Sequence, residues 1–266
     1  MIDYFTKRYT IPMRFPAQKK MLGLGHAVLF GLEPIDEPAL IILGDTIIES
    51  DFGAFLQSTE NLLGVAEVAD PQRFGIVEID DNYHIIGMEE KPQNPKSNLA
   101  ISGIYMIQSQ NKLREAITEL MHKEIRTRNE FQLTDALRLM MEKGEIFRAK
   151  PIDNWHDCGK KETLLSTNAY LLGESKIIQG EVKNSILIAP VFVGQEALVE
   201  NCVLGPNVTI AEHAKIKDSR LSHTIVDDYA YVENLVASQT IIGSNATVKG
   251  SVKTLNISDF SDVEMG

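Results

Sequence analysis

The sequence contains little cysteine and no long apolar run. Its two cysteines, Cys158 and Cys202, lie far apart along the chain, so they predict neither a disulfide framework nor a cysteine-ligated metal cluster. No segment reaches the ~18 uninterrupted apolar residues that a membrane-spanning helix needs, so no membrane partner is expected. The opening residues, MIDYFTKRYT, lack the apolar stretch of a signal peptide, and we expect a cytoplasmic protein.

Positive charge is also scarce. Lysine and arginine number 26 against 37 acidic residues, which gives a formal net charge of −11. Proteins that bind nucleic acid neutralise its phosphates with basic side chains, so this balance argues against a general nucleic-acid binder. It does not exclude an anionic small ligand, because a few local cations are enough to bind one.

The first part of the chain alternates strand and helix patterns. This alternation predicts an α/β layered sheet with largely parallel strands. The run ALIILGD at 39–45 is continuously apolar, which is typical of a strand buried on both faces, and it ends on Asp45. Ligands of such sheets bind beyond the carboxyl ends of the strands, where we expect Asp45 to lie.

The last part of the chain follows a different pattern, an aliphatic repeat. Val193, Ile210, Val226 and Ile242 open successive groups and are separated by 17, 16 and 16 residues. This spacing predicts a three-sided hexapeptide-type β-helix, each side pointing one aliphatic residue inward. The alternative is an ordinary β-sandwich of short strands. We therefore predict two domains, residues 1–175 and 176–266.

Two aspartates could hold a metal. Asp45 ends a predicted strand, and Asp157 lies in NWHDCGKKETLL, immediately before a predicted helix. Each has an ordinary interpretation, as a turn residue and as a helix-entry residue. If both face one cleft, a divalent cation would offset their repulsion, and magnesium typically uses one or two carboxylates together with substrate phosphates. The pair therefore suits metal-assisted phosphoryl chemistry.

A second candidate pair is Glu90 and Lys91. They precede Pro92, which should restrict Lys91 to extended geometry. A carboxylate for sugar hydroxyls beside an ammonium for phosphate would suit a sugar phosphate, although a charged strand end before a turn is the plain alternative. The glycines of KKMLGLGHAVLFG could let the backbone approach a base or phosphate, but helix packing explains them equally well.

Six segments, taken in order, resemble the sugar-1-phosphate nucleotidyltransferases, especially glucose-1-phosphate thymidylyltransferases and their uridylyl relatives. The segments are LGLGHAV at 22–28, LIILGDTII at 40–48, DPQRFGIVEID at 70–80, EEKPQNPKSNLAISGIYMI at 89–107, EFQLTDAL at 130–137 and WHDCGKKETLL at 155–165. The resemblance implies an α/β fold with an incomplete Rossmann-like nucleotidyltransferase sheet and helices. A left-handed β-helix, which this family also carries, would follow.

The resemblance also implies a role for individual residues. Gln18 and Gly23 would recognise the base, and Asp45 and Asp157 would bind magnesium. Phe74, Gly75 and Trp155 would line the sugar pocket. Glu90 would accept hydrogen bonds from sugar hydroxyls, and Lys91 would bind the phosphate. Lys91 and Asp45 would be the catalytic residues.

The implied reaction joins a sugar 1-phosphate to a nucleotide. An oxygen of the sugar 1-phosphate, which we expect to be glucose 1-phosphate, attacks the α-phosphate of dTTP or UTP. The products are a nucleotide sugar and pyrophosphate, and Mg²⁺ is the implied cofactor. Catalysis in such reactions is mostly positioning and charge stabilisation.

One family motif does not occur in this sequence. The family opens with a glycine-rich loop, G-G-x-G-T-R, followed by a Pro-Lys pair, and neither is found here. Our first hypothesis is therefore an N-terminally short, inactive form of the enzyme. The second is a non-catalytic subunit that senses sugar phosphate or nucleotide. The third is an acyltransferase in the β-helix with His213 and His223 as bases, although solvated coil corners explain both histidines.

We also expect a homo-oligomer. A β-helix of few coils leaves an open end and a flat aliphatic side that a second copy could cover. The acidic tail SDFSDVEMG at 258–266 is the competing cap for that end.

Overall fold

The computed structural model describes residues 2–251. The chain divides into two compact units, Met1–Trp155 and His156–Gly266, and each is described by itself. Within residues 2–251 no helix is long and apolar enough to cross a membrane. The acidic tail at 258–266 lies outside the described residues, and the predicted domain boundary at residue 175 stays a prediction.

The first unit alternates helices and strands. Its elements are α1 Ile2–Arg8, α2 Leu24–Gly31, β1 Ala39–Ile42, β2 Thr46–Glu49, α3 Phe52–Leu56, β3 Asn61–Glu67, a 3-10 turn Pro71–Arg73, β4 Gly75–Ile79, β5 Ile85–Glu90, β6 Leu99–Ile107, α4 Gln110–His122, α5 Leu133–Glu142, β7 Phe147–Pro151 and β8 Asn154–Asp157, whose last two residues belong to the second unit.

The sheet of this unit is mixed. Its strand order is β5-β4-β6-β3-β7, with β1 paired to β6 and β2 paired separately to β8. In the six-stranded sheet β3 and β7 run parallel, while β1–β6, β3–β6, β4–β5 and β4–β6 are antiparallel. The α/β class is confirmed, but the prediction of largely parallel strands is wrong. Short links such as residues 80–84 between β4 and β5 permit only antiparallel neighbours, since a parallel pair needs a long crossover.

The strand β1 is less buried than its sequence predicts. Its four residues are half-buried or exposed, and Ile42 is 50% exposed. Among the described strands β1 pairs only with β6, so it lies at an edge of the sheet. The expectation of burial on both faces is therefore wrong, because a continuous apolar run does not reveal which strands will flank it.

The strand β6 is the most buried strand of the unit, and two amphipathic helices contribute to the same core. Eight of its nine residues are buried. Helix α4 buries four residues at the i, i+3, i+4, i+7 positions of one helical face, namely Leu113, Ala116, Ile117 and Leu120. Helix α5 repeats this spacing with Leu133, Ala136, Leu137 and Met140. This packing fixes the first turn of α5 in place, beside β5.

The second unit begins with helix α6 and continues as a parallel β-solenoid of the left-handed β-helix type. Its elements are α6 Lys161–Leu172, β9 Lys176–Ile178, β10 Glu181–Lys183, β11 Ile186–Leu187, β12 Val191–Val193, β13 Leu198–Glu200, β14 Val203–Leu204, β15 Val208–Ile210, β16 Lys215–Lys217, β17 Arg220–Val226, β18 Tyr231–Glu233, β19 Val236–Ile242 and β20 Thr247–Lys249.

The aliphatic repeat forms the core of this solenoid. Val199 pairs with Ile216, and Ile216 with Val232, so each coil places its residue above the corresponding one 16 or 17 positions earlier. The predicted residues Val193, Ile210 and Val226 are fully buried and Ile242 is 5% exposed; five further aliphatic residues of the coils are also fully buried, namely Val199, Leu204, Ile216, Leu221 and Val232. The β-helix prediction is confirmed, and the β-sandwich alternative is wrong.

Left-handed backbone conformations mark the corners of the coils. Asn184, Asn201 and Asp218 follow one another at one corner with φ of 43°, 54° and 49°. Asparagine and aspartate tolerate this region better than most residues. The Asn184 amide donates to Asn201 Oδ1 at 2.8 Å, and the Asn201 amide donates to Asp218 Oδ1 at 3.0 Å. Polar residues at these corners therefore have a structural function.

Matched valines can test the solenoid core. Val199 is fully buried, whereas Val236 is 80% exposed. We expect Val199→Ala to lower the free energy of unfolding of the second unit by about 2 to 3 kcal/mol, through lost burial and a residual cavity. Val236→Ala should change it by less than about 0.5 kcal/mol. Urea unfolding followed by circular dichroism would measure both, and equal effects would contradict the assigned core.

Candidate functional site

The end of the β4–β5 hairpin brings four predicted site residues together. Gly75 opens β4 and pairs with Glu90 at the end of β5. The backbone N–H of Lys91 donates to the carbonyl of Phe74 at 2.9 Å, and Lys91 Nζ lies 3.2 Å from Glu90 Oε1. The Glu90 side chain is only 9% exposed. A carboxylate and an ammonium are thus held side by side at one strand end.

The backbone of Lys91 differs from the sequence-based expectation. Its φ is +47°, in the left-handed region, so the prediction of extended geometry before Pro92 is wrong. The hydrogen bond to Phe74 and the ion pair with Glu90 hold the residue there. A non-glycine residue in this region costs on the order of 1–3 kcal/mol, and such strain concentrates at functional sites.

A second donor holds Glu90 from the opposite direction. Thr134, in the first turn of α5, donates its hydroxyl to Glu90 Oε2 at 2.7 Å. Gly75 leaves room for this contact, since a Cβ on Gly75 would lie 2.5 Å from Thr134 Oγ1 and 3.0 Å from Glu90 Oε2. Each carboxylate oxygen therefore has one protein partner and keeps a lone pair for a ligand hydroxyl.

The negative charges of Glu90 and Asp45 act on one buried phenol. Burial raises the pKa of Tyr105, and the carboxylates of Glu90 and Asp45 raise it further, so the phenol stays neutral. Tyr105 lies in β6 opposite Ile41 of β1, and Asp45 occupies the exposed turn after β1. Asp45 is therefore near enough to Tyr105 for its charge to act on the phenol.

Trp155 joins this region through two contacts. Its indole Nε1–H donates to Thr46 Oγ1 at 2.6 Å. Its ring meets the ring of Phe74 edge to face, with centroids 5.3 Å apart and planes at 72°. The pair forms an apolar surface beside Gly75, and its predicted role in lining a sugar pocket stays a prediction.

A cavity of about 360 Å³ opens beside Lys91 and contains further cations. Its lining residues are Glu89, Glu90, Lys91, Gln93, Thr127, Arg128, Asp135 and Arg138. Asp135 is 3% exposed; its Oδ1 lies 3.4 Å from Arg138 Nη2, and its Oδ2 has no hydrogen-bond partner among the described residues. The lining therefore combines three cations, Lys91, Arg128 and Arg138, with three carboxylates, Glu89, Glu90 and Asp135.

The predicted base-recognising pair is linked by a hydrogen bond. Gln18 Nε2 donates to the carbonyl of Gly23 at 3.2 Å and also lies 2.7 Å from His26 Nδ1. Gly23 has φ +108°, and a Cβ there would lie 2.7 Å from the Phe131 carbonyl oxygen. Close packing of the α2 start on Phe131 thus requires this glycine.

The two predicted magnesium ligands lie in different compact units, so their pairing stays a prediction. Asp157 ends β8, is half-buried, and its Oδ1 accepts the Gly159 N–H at 2.9 Å. In the described part of the chain no group of three or more histidine, cysteine or acidic side chains could hold a metal.

The two histidines of the solenoid lie at coil corners with left-handed backbone conformations. His213 has φ +61°, stacks on Tyr229 with centroids 4.5 Å apart, and lies 3.1 Å from Glu196 Oε2. His223, with φ +47°, sits at another corner, where its N–H donates to Pro206 O. Both are corner residues, which favours the structural interpretation.

Comparison with known families identifies the protein class. The family described as nucleotidyl transferase matches residues 4–174. The chain belongs to the nucleotidyl transferase family. The family described as GlmU-like, C-terminal hexapeptide, matches residues 156–250. The resemblance inferred from the six sequence segments is thereby confirmed.

Several relatives match a large part of this chain. The bifunctional protein GlmU of Methanocaldococcus jannaschii is 34% identical over 75% of this chain and 47% of its own length. A glucose-1-phosphate thymidylyltransferase of Streptomyces griseus is 28% identical over 82% of this chain and 68% of its own. A solved structure, UDP-glucose pyrophosphorylase complexed with UDP-glucose, is 28% identical with a TM-score of 0.47, covering 58% of this chain and 64% of that one. The chain spans about half the length of the GlmU relatives it matches.

Three residues of the candidate site were not predicted from the sequence. Thr134, Arg128 and Arg138 lie around EFQLTDAL, a segment that supported the resemblance without any assigned role. Arg128, shortly before the start of α5, was the available sequence signal for a basic group near this site. Spacing alone could not show that the start of α5 reaches Glu90, 44 positions away.

A steric test addresses the support of Glu90. Gly75→Ala would force its new methyl group against Thr134 Oγ1, so we expect a loss of about 1 to 3 kcal/mol in unfolding free energy. Adding Thr134→Ala should recover part of this loss because it removes the clashing oxygen. Gly31→Ala is the control, since nothing lies within 4 Å of its new methyl group. Thermal denaturation measures all three, and a purely additive double variant would count against the contact.

Proposed function

We propose that this chain serves the transfer of a nucleotidyl group from dTTP or UTP to a sugar 1-phosphate, giving a nucleotide sugar and pyrophosphate. The observation that carries the proposal is the pair formed by Glu90 and Lys91, an acceptor for hydroxyls beside a cation for phosphate. Membership of the nucleotidyl transferase family supports it, as do relatives named glucose-1-phosphate thymidylyltransferase. Glucose 1-phosphate is the proposed sugar substrate.

The proposed binding mode follows from the charges around the hairpin end. Lys91 and Arg128, which line the same cavity, would hold the phosphate, and charge-assisted hydrogen bonds of this kind are the strong ones. The free lone pairs of Glu90 would accept sugar hydroxyls. Phe74 and Trp155 would cover the apolar face of the ring. These contacts position the sugar phosphate without taking part in bond making.

The proposed reaction is an in-line displacement at phosphorus. A phosphate oxygen of the sugar 1-phosphate forms a bond to the α-phosphorus of the triphosphate, while the bond to the pyrophosphate leaving group breaks. The protein contributes position and charge stabilisation in such reactions. Lys91 would hold the attacking phosphate and offset its repulsion by the triphosphate.

Asp45 and Asp157 are the residues proposed to hold Mg²⁺. Carboxylate oxygens suit this hard cation, and the Asp45 charge belongs to the negative field that acts on Tyr105. The ion would neutralise phosphate charge when bound.

Two lysines in the loop between β5 and β6 allow a test of the proposed phosphate contact. Lys91→Met should weaken glucose 1-phosphate binding by roughly 10- to 150-fold, the loss of one hydrogen bond to a charged group, and leave any binding of free glucose unchanged. Lys96→Met is the matched control, because Lys96 is 77% exposed and pairs only with Glu78 within the described part of the chain. Isothermal titration calorimetry measures both, and an equal effect of the two variants would reject the site.

A coupled pyrophosphate assay tests turnover. The proposed reaction releases pyrophosphate and nucleotide sugar in equal amounts from UTP or dTTP with glucose 1-phosphate and Mg²⁺. Asp45→Asn should then reduce the rate by roughly 10²- to 10³-fold, whereas exposed Asp81→Asn should not. Release by this chain would contradict the expectation of an inactive form. Binding of glucose 1-phosphate without release would favour the ligand-sensing alternative.

A further inference from the structure

A second cavity of the first unit, of about 530 Å³, has a lining unlike that of the cavity beside Lys91. Its volume is within the range of small-molecule sites. Two aromatic residues, Tyr83 and Trp155, and two acidic residues, Glu67 and Asp153, contribute to the lining. Aliphatic residues from several strands complete most of the rest, among them Val65, Ile79, Leu99 and Ile152.

The tip of the β4–β5 hairpin brings Tyr83 to this cavity. The Ala149 N–H donates to the Tyr83 carbonyl at 2.8 Å, and Arg148 Nη2 donates to the Asn82 carbonyl at 3.0 Å. Because β5 and β7 stand at opposite ends of the strand order, these bonds require the sheet to curl. Tyr83 is 48% exposed in this position, so much of its side chain is available to a ligand.

The two carboxylates come from neighbouring strands. In the parallel pair β3–β7, Val65 lies opposite Pro151, and the Ile152 N–H donates to the Val65 carbonyl at 2.9 Å. Glu67 and Asp153 each lie two positions further along their segments, so the same register sets them opposite each other. Like charges at opposed positions of neighbouring strands repel, and the arrangement therefore calls for a countercharge.

The protein does not supply this countercharge within the part of the chain that the structure describes. Neither the Glu67 nor the Asp153 carboxylate forms an ion pair or hydrogen bond with a described residue. No lysine, arginine or histidine is among the described residues that line the cavity. Arg148 on β7 is directed elsewhere, since it lies 3.3 Å from Glu60 Oε2 and donates to Asn82. A ligand can provide the missing positive charge.

We propose that this cavity binds a small organic cation, a primary ammonium group on an apolar body. An ammonium has three N–H donors, so a single group can serve both Glu67 and Asp153. Tyr83 and Trp155 favour a cation, because the faces of aromatic rings attract positive charge. The aliphatic lining suits the apolar body of such a ligand. This site goes beyond nucleotidyl transfer, and it does not depend on the proposed function.

A metal ion fits the same lining less well. Ca²⁺ and Mg²⁺ take about six or more oxygen ligands, whereas this cavity offers two carboxylates among largely apolar residues. In the described ranges no group of three or more histidine, cysteine or acidic side chains could hold a metal. The plain alternative is that both exposed carboxylates are solvated and bind nothing. That alternative predicts no preference for an amine over a neutral molecule of the same size.

The fluorescence of Trp155 tests the proposal directly. Trp155 is the only tryptophan of the chain, so its emission reports on a ligand that enters this cavity. The full chain would be titrated at pH 7 and constant ionic strength with pentylamine, which is protonated there, and with 1-pentanol as the neutral match. We expect a saturable change with pentylamine and an affinity for 1-pentanol that is weaker by about tenfold.

Three charge-removing variants locate the response. Glu67→Gln and Asp153→Asn should each weaken pentylamine binding by roughly 3- to 10-fold and leave the response to 1-pentanol unchanged. Glu115→Gln is the matched control, because Glu115 is exposed on α4 and does not line this cavity. Its affinity for pentylamine should equal that of the unaltered chain. Melting temperatures should not fall in the two cavity variants, since neither altered carboxylate has a described protein partner.

The remaining outcomes overturn the proposal. Equal affinities for pentylamine and 1-pentanol would show that charge is not recognised, and equal effects of all three variants would show a response to net charge alone. A pentylamine response that persists undiminished in both cavity variants would place the amine elsewhere near Trp155. Displacement of pentylamine by Ca²⁺, at an affinity tighter than that of the amine, would make this a metal site.

Discussion

The carboxylate of Glu90 is the group on which the candidate site depends. It is almost buried, and a charge in that position requires partners. Lys91 supplies one from the same strand end, and Thr134 supplies the other from the start of α5. Gly75 permits the Thr134 contact by having no side chain. Loss of any one of these three residues would leave the carboxylate misplaced or unpaired.

The surrounding core makes this arrangement rigid. Helix α5 packs through four apolar residues on one face, so its first turn cannot move without disturbing the core beside β6. Strain at Lys91 is tolerated because its backbone N–H donates to the Phe74 carbonyl and its ammonium pairs with Glu90. A positioned carboxylate and ammonium suit a reaction in which the protein mainly aligns charged reactants.

The second unit forms its core by repeating the same contacts in every coil. Each coil buries one aliphatic residue per side and turns through left-handed corners occupied by asparagine, aspartate and histidine. The side-chain ladder through Asn184, Asn201 and Asp218 joins consecutive coils at one corner. Residues that look chemically active in the sequence, such as His213, are explained by this corner geometry.

The sequence by itself determined the features that depend on local spacing. Aliphatic residues 16 or 17 positions apart specify stacked coils because every coil repeats the same contacts, and six ordered segments sufficed for the family. Only the tertiary structure decided which residues from distant segments contact one another. Thr134 and Glu90 are far apart in sequence, the exposure of Ile42 depends on which strands flank β1, and the positive φ of Lys91 depends on a hydrogen bond to Phe74. Such contacts arise from packing between distant segments, and no periodicity records them.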